Sequence, residues 1–123
     1  KTHQPVEVVN ELRGPPVSLN ERCCGQSGTL AATRADISTQ VRFRKEEEMR
    51  GGAERLRRDD FKGEVKILTS CPSCLQGLSR YDNDSGTSAD YIVVEMARHL
   101  LGENWMASFV ARANAGGIER VLL

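Results

Sequence analysis

The chain has 123 residues, with 17 Lys and Arg against 17 Asp and Glu, so its formal net charge is zero. This length fits one domain, and a balanced charge gives no general attraction to nucleic acid or to an anionic membrane surface. No apolar run approaches the roughly 20 residues that a membrane-spanning helix needs. We therefore predict no membrane span and no nucleic-acid partner.

The first segments predict short elements around a pair of cysteines. VEVV at 6–9 fits a strand, or a short helix that the following glycine and two prolines end. PVSL at 16–19 is apolar and begins with proline, which predicts a short strand. It runs into ERCCGQSG, so Cys23 and Cys24 are expected on a glycine-rich turn at the end of that strand.

A long charged segment follows, and it predicts the longest helix. From Asp36 to Asp60, apolar residues recur on one face with Lys45 interrupting them, and Asp36 is a suitable N-cap. The other faces are dense in Arg and Glu, which indicates a solvated surface helix. Gly51 and Gly52 are the point where it could kink or split.

The second pair of cysteines follows the clearest strand signal. EVKILTS at 64–70 ends directly in CPSC, which contains Cys71 and Cys74. CLQGLSRY then predicts a short helix that begins at this pair. The next ten residues, 81–90, are rich in turn formers and predict a polar loop.

The last third of the chain predicts helices. Residues 91–102 begin like a strand, but most of the segment fits a helix that Gly102 stops. Residues 104–117 predict another helix, with Asn104 as its cap. IERVLL at 118–123 closes the chain as a helical turn or a short strand.

The predicted order of strand, helix, strand, helix, helix indicates an α/β fold with a small parallel sheet flanked by helices. Ligands of such folds bind beyond the carboxyl ends of the strands. Both cysteine pairs are expected at such ends. Neighbouring parallel strands would therefore bring the two pairs to one edge of the sheet.

These four cysteines are the only ones in the chain, and they leave several chemistries open. Adjacent cysteines rarely bond each other because the geometry is strained, so two tight pairs favour ligands or redox groups in a reducing compartment over a disulfide framework. Four thiolates can hold zinc or an iron–sulfur cluster. A CxxC between a strand and a helix also fits a thiol–disulfide catalyst that uses Cys71 and Cys74.

CCG followed by CPSC resembles the cysteine-rich CCG domain of heterodisulfide reductases, which also occurs in the iron–sulfur parts of glycolate oxidase and FAD-linked D-lactate dehydrogenases. The resemblance extends over RGPPVSLNERCCGQSGT, the charged helix, VKILTSCPSCLQGLSRY and the helical tail. It implies that residues 1–123 form one cysteine-rich domain, the C-terminal part of a longer FAD-linked oxidoreductase. The fold it implies is a Rossmann-like half-domain.

The same resemblance implies a function in electron transfer. The chain would be the iron–sulfur module of an FAD-linked oxidoreductase acting on a 2-hydroxy acid such as lactate or glycolate, and would not be catalytic alone. A [4Fe–4S] cluster, or zinc as in some family members, would be held by Cys23, Cys24, Cys71 and Cys74. FAD would lie on another domain, ferredoxin-like domains would be neighbours, and a carrier such as a quinone would accept the electrons. The implied location is cytoplasmic, including the inner face of the membrane.

The chain departs from the family pattern in two ways. The family motif begins with a further cysteine upstream of CCG, and none precedes Cys23 here. The gap between Cys24 and Cys71 is also longer than in the family. We therefore expect the upstream cysteine and the first strand of the sheet to belong to a longer parent.

Overall fold

A computed structural model of the chain describes residues 4–13, 17–26, 28–58 and 62–116. The predicted α/β class is confirmed, since helices flank a small sheet of two parallel strands. In chain order the elements are α1 (Gln4–Arg13), α2 (Leu30–Thr33), α3 (Ala35–Arg58), β1 (Val65–Thr69), α4 (Pro72–Leu78), a 3₁₀ turn (Ser79–Tyr81), α5 (Asp82–Ser85), β2 (Thr87–Tyr91), α6 (Ile92–Leu101) and α7 (Trp105–Asn114).

Helix α3 is the longest element, as its charged sequence predicts. Its buried residues follow a spacing of seven, four and four positions, which is one face of an α-helix. It begins one residue earlier than expected, and the glycine pair at 51 and 52 does not interrupt it. The buried stripe consists of Ser38, Lys45, Met49 and Ala53.

The core lies where this stripe meets the sheet and the first cysteine pair. Met49, Cys24 and Leu78 form one buried cluster. The partly buried residues packed against it come from both strands and from α4 and the turn after it: Ile67, Cys74, Tyr81 and Ala89. Two of the four cysteines are therefore part of the hydrophobic core or in contact with it.

Strand β2 corrects the expected polar loop at 81–90. A short helix and Gly86, at φ +63°, lead into TSADY, which pairs in parallel with β1 from Val65↔Thr87 to Thr69↔Tyr91. Its sequence is mostly polar, and although Thr87 and Tyr91 at its ends favour strands, Ala89 and Asp90 do not. The pairing with β1, together with burial of Thr87 at 5% exposure, determines its conformation.

The expected strand at 16–19 is not found. Its described part, from Val17 onward, belongs to no sheet. VEVV lies inside helix α1, so the helical one of its two predicted alternatives is confirmed. Cys23 and Cys24 therefore do not follow a strand. The prediction failed because a short apolar run becomes a strand only where a neighbouring strand takes up its backbone hydrogen bonds.

The two C-terminal helices confirm the predictions for 91–102 and 104–117, and the IERVLL segment lies outside the described residues. Buried Glu95 ties α6 to β1, since its carboxylate lies 3.1 Å from Lys66 Nζ and 2.6 Å from Arg98 Nη1. None of the helices in the described ranges has the length and apolar character to cross a membrane.

Candidate cysteine site

The structure brings the two cysteine pairs together. Cys24 Sγ lies 2.9 Å from Cys74 Sγ, although 50 positions separate them in the chain. Cys71 lies at the N-cap of the helix whose first turn contains Cys74. Cys24 is buried at 6% exposure and Cys74 is half-buried, whereas Cys71 and Cys23 are exposed. Three of the predicted residues thus converge, and Cys23 lies at the surface beside them.

Local sequence explains the placement of the CPSC pair. Cys71 is the N-cap of α4, in extended conformation, and Pro72 occupies the first helical position that proline favours. The Cys71 N–H donates to Thr69 Oγ1 at 3.2 Å, and the Cys71 carbonyl accepts the Leu75 N–H at 2.9 Å. One turn of helix then carries Cys74 underneath Cys71.

The two thiols of CPSC differ in acidity. The backbone N–H and then the thiol of Cys74 donate to the Cys71 sulfur, which lowers the pKa of Cys71. Burial, followed by contact with the thiols of Cys24 and Cys71, raises the pKa of Cys74 to about 12. Cys71 is therefore the exposed group more readily present as thiolate, and Cys74 is the protonated group beneath it.

Long-range contacts place the CCG pair. The Glu48 carboxylate accepts the N–H groups of Glu21 at 2.9 Å and Arg22 at 3.2 Å, just before Cys23. Just after the pair, buried Ser38 donates its hydroxyl to the Gly25 carbonyl at 2.8 Å. Both anchoring side chains belong to α3.

Charge stabilises one of these anchors. Lys45 Nζ lies 3.1 Å from Glu48 Oε2, and the Lys45 side chain is only 5% exposed. Desolvation opposes ionisation of Glu48, but the N–H groups of Glu21 and Arg22 and the Lys45 ammonium outweigh it, so the pKa of Glu48 is lowered. Sequence reasoning missed Glu48. The available signal was Lys45 itself, since a lysine on an apolar helix face needs a buried partner.

Two glycines let the segments approach closely. At Gly77 of α4, a Cβ would lie 2.4 Å from Cγ of buried Gln26. At Gly25, where φ is +73°, a Cβ would lie 3.0 Å from Arg42 Cγ and 3.2 Å from the Ser38 carbonyl oxygen. Side chains at either position would push the CCG segment away from α4 or α3.

Thiol sulfurs suit a soft metal, but the 2.9 Å between the sulfurs of Cys24 and Cys74 is the distance of two thiols in direct contact. Within 4–13, 17–26, 28–58 and 62–116, no group of three or more His, Cys, Asp or Glu side chains is arranged to hold a metal ion. Two thiolates on one tetrahedral metal with bonds of about 2.3 Å are about 3.8 Å apart. Cys24 and Cys74 are closer than this, so binding a metal or cluster requires them to separate.

A cleft of about 480 Å³ lies beside this site, between α1, α3, residues 17–20 and β1. Apolar side chains such as Val9, Met49 and Ile67 line much of it, and none of the four cysteines does. Glu48 reaches both the cleft and the backbone before Cys23. The thiol chemistry therefore lies outside the cleft.

Comparison with known families gave one match. The family model described as a domain of unknown function (DUF3400) matches residues 79–123. Comparison with curated proteins found no match, and comparison with solved structures found none either. The matched residues include β2, α6 and α7 but none of the four cysteines, so the thiol site must be interpreted from its own geometry.

Proposed function

We propose that this chain is the iron–sulfur electron-transfer module of an FAD-linked 2-hydroxy-acid oxidoreductase. The observation that carries the proposal is the 2.9 Å approach of Cys24 and Cys74, which joins two thiol pairs from distant parts of the chain. The resemblance of CCG and CPSC to the CCG domain family supplies the cluster type and the flavoprotein context. The proposed ligands are Cys23, Cys24, Cys71 and Cys74.

A [4Fe–4S] cluster, when bound, accepts and passes on single electrons. The chain's own residues would then set its environment. Burial of Cys24 against Met49 and Leu78 excludes water from one side, while the exposure of Cys23 and Cys71 leaves the other side open to a partner domain. Cys23 Sγ accepts the Gly25 N–H at 3.4 Å, the kind of bond that stabilises negative charge on a ligating sulfur.

The remaining parts of the proposal come from the resemblance. FAD on another domain would take the hydride from a substrate such as lactate or glycolate. Ferredoxin-like domains and a quinone or similar carrier would be the electron partners. A location in the cytoplasm or at the inner face of the membrane suits free thiols, since all four cysteines are unpaired in the structure.

Metal content tests this function. The chain would be reconstituted anaerobically with iron and sulfide, and iron, sulfide and zinc would be measured together with spectra before and after reduction. Since the resemblance implies a longer parent, a form extended upstream through the next cysteine would be tested in parallel. Cys24→Ser and Cys71→Ser should lose the iron, whereas Ser79→Ala, at the far end of α4, should keep it.

The possible outcomes separate the proposals. Iron and sulfide that depend on Cys24 and Cys71 would support the electron-transfer module. Stoichiometric zinc without visible absorption would replace it with a structural site. Absence of metal from both forms would overturn the proposal and leave the thiols themselves as the chemistry.

A second candidate is a thiol–disulfide module that uses Cys71 and Cys74. The observation favouring it is the placement of exposed Cys71 at the N-terminus of α4 with half-buried Cys74 below it. The two thiols would form a disulfide, and a substrate disulfide would receive the two electrons and two protons and become two thiols. With reduced glutathione as the reductant that regenerates the two thiols, catalysed reduction of a disulfide substrate by the metal-free chain, lost in Cys71→Ser, would establish this function.

A further inference from the structure

We propose that Glu48 and Ser38 are positioning residues that hold Cys24 against Cys74 by fixing the backbone on both sides of the CCG turn. The role rests on the proposed function in one respect, namely that the two cysteine pairs form a single redox site. Helix α3 would then control which thiol reaches Cys74, without contributing a ligand itself.

Glu48 fixes the backbone before the pair. Its two carboxylate oxygens take up two successive N–H groups, those of Glu21 and Arg22. Among the residues that the structure describes, no strand pairs with this segment, so its N–H groups need another acceptor. Hydrogen bonds to an ionised carboxylate are about twice as strong as neutral ones. Glu48 therefore substitutes for the missing strand neighbour.

Lys45 keeps this anchor charged and in place. It lies three positions before Glu48 on α3, and its ammonium contacts the carboxylate oxygen that also accepts the Arg22 N–H. A buried ammonium is stable only with a charged partner. Lys45 and Glu48 thus hold each other on the face of α3 that points toward the CCG segment.

Ser38 fixes the backbone after the pair. Its side chain is 1% exposed, and its hydroxyl donates to the Gly25 carbonyl. The positive φ of Gly25 turns the chain here, and a Cβ would crowd Arg42. Cys23 and Cys24 therefore lie between two anchors on one rigid helix, which are ten residues apart along α3.

The placement of the other two thiols relative to each other is set within α4 rather than by α3. Cys71 and Cys74 are adjacent through the first turn of α4, held by Thr69 and by the helix itself. Loosening the α3 anchors should therefore lower the effective concentration of the Cys24 thiol at Cys74, while the Cys71 thiol stays in place. This difference distinguishes a positioning role from a general contribution to stability.

The experiment measures disulfide equilibria of the metal-free, full chain in glutathione buffers. Cys24 and Cys74 thiols react with one glutathione disulfide to give their mutual disulfide and two glutathione thiols, and Cys71 and Cys74 do the same. Peptide mapping by mass spectrometry quantifies each linkage. The variants are Glu48→Gln, Glu48→Ala and Ser38→Ala, with Glu46→Gln as the control because Glu46 pairs with Arg50 on the same helix.

We expect Glu48→Ala to lower the equilibrium constant of the Cys24–Cys74 disulfide about tenfold, the usual effect of losing a charge-assisted hydrogen bond. Ser38→Ala and Glu48→Gln should lower it about threefold. The Cys71–Cys74 equilibrium should not change, and Glu46→Gln should change neither.

The positioning role is overturned if the Cys24–Cys74 equilibrium is unchanged in all three variants, or if both disulfides weaken in parallel. Because the measurement uses metal-free protein, it is independent of iron binding. A selective effect in a chain that binds no iron would retain the positioning role while the electron-transfer function fails. Iron binding without a selective effect on the Cys24–Cys74 disulfide would support the electron-transfer function and overturn the positioning role.

Discussion

The two cysteine segments have the same chemistry but are positioned in different ways. CPSC is held by residues next to it, since Cys71 bonds to Thr69 and to its own helix. CCG is held by side chains that are 13 and 27 positions away, on α3. One half of the site is therefore encoded locally, and the other half forms only when α3 is packed in place.

Gly25→Ala should have the largest effect, because it acts where CCG meets α3. The alanine would need a left-handed backbone and would crowd Arg42 and Ser38, which together cost about 2–4 kcal/mol in the free energy of unfolding. Urea denaturation measures this. Gly28→Ala is the matched control, since Gly28 also has a positive φ but has nothing within 4 Å of its Cβ position. Equal losses of unfolding free energy in Gly25→Ala and Gly28→Ala would show that contact with Arg42 and Ser38 costs nothing.

Gly77→Ala tests the contact between the two segments. Its Cβ would lie 2.4 Å from Gln26 Cγ, so α4 and the CCG segment must move apart, at a net cost of about 1–2 kcal/mol. Gly51→Ala, in α3 with no atom in the way, should instead stabilise the protein by about 0.5–1 kcal/mol. Thermal or urea unfolding of the pair checks the opposite signs. If both variants were more stable than the wild type, the Gln26 side chain would have to move aside without an energetic cost.

Acid should weaken the CCG anchor selectively. The pKa of Glu48 lies below its ordinary value of 4.5, so its contribution to stability is complete above that value and is lost as the pH falls through the lowered pKa. The difference in unfolding free energy between the wild type and Glu48→Gln should be about 1 kcal/mol near neutrality and should shrink toward zero in acid. A difference that is constant with pH would contradict an ionised anchor.

The smallest expected effect is a difference in the rate at which Cys71 and Cys74 react with a thiol-modifying reagent. Because the pKa of Cys71 is lowered and its sulfur is exposed, iodoacetamide should modify it first, and at lower pH than an ordinary thiol. Cys74, with a pKa of about 12, should react last. Mass spectrometry of samples labelled between about pH 6 and pH 9 gives the order. Equal rates for these two cysteines would remove the distinction between them.

The sequence was informative where contacts are local. Apolar EVKILTS followed by CPSC predicted β1, α4 and the position of the second pair at the end of that strand. TSADY could not be predicted as a strand, because its pairing with β1 rather than its composition determines it. The convergence of Cys24 with Cys74 was expected, but from a strand at 16–19, and the described residues 17–19 form none. Glu48 and Ser38 replace that strand, and their bonds depend on tertiary packing that no local pattern reveals.

The span of the Cys24–Cys74 contact has a consequence for how the chain folds. The sheet closes between Val65 and Thr87, 22 positions apart, whereas the thiol contact closes a loop of 50 positions. The longer loop costs about 0.7 kcal/mol more in closure entropy. We therefore expect the β1–β2 unit to form early, and the CCG segment, carried on α3, to dock against α4 later. If the chain met an oxidant during folding, Cys71 and Cys74 would form a disulfide before Cys24 reaches Cys74. A reducing environment during folding should therefore favour assembly of the complete site.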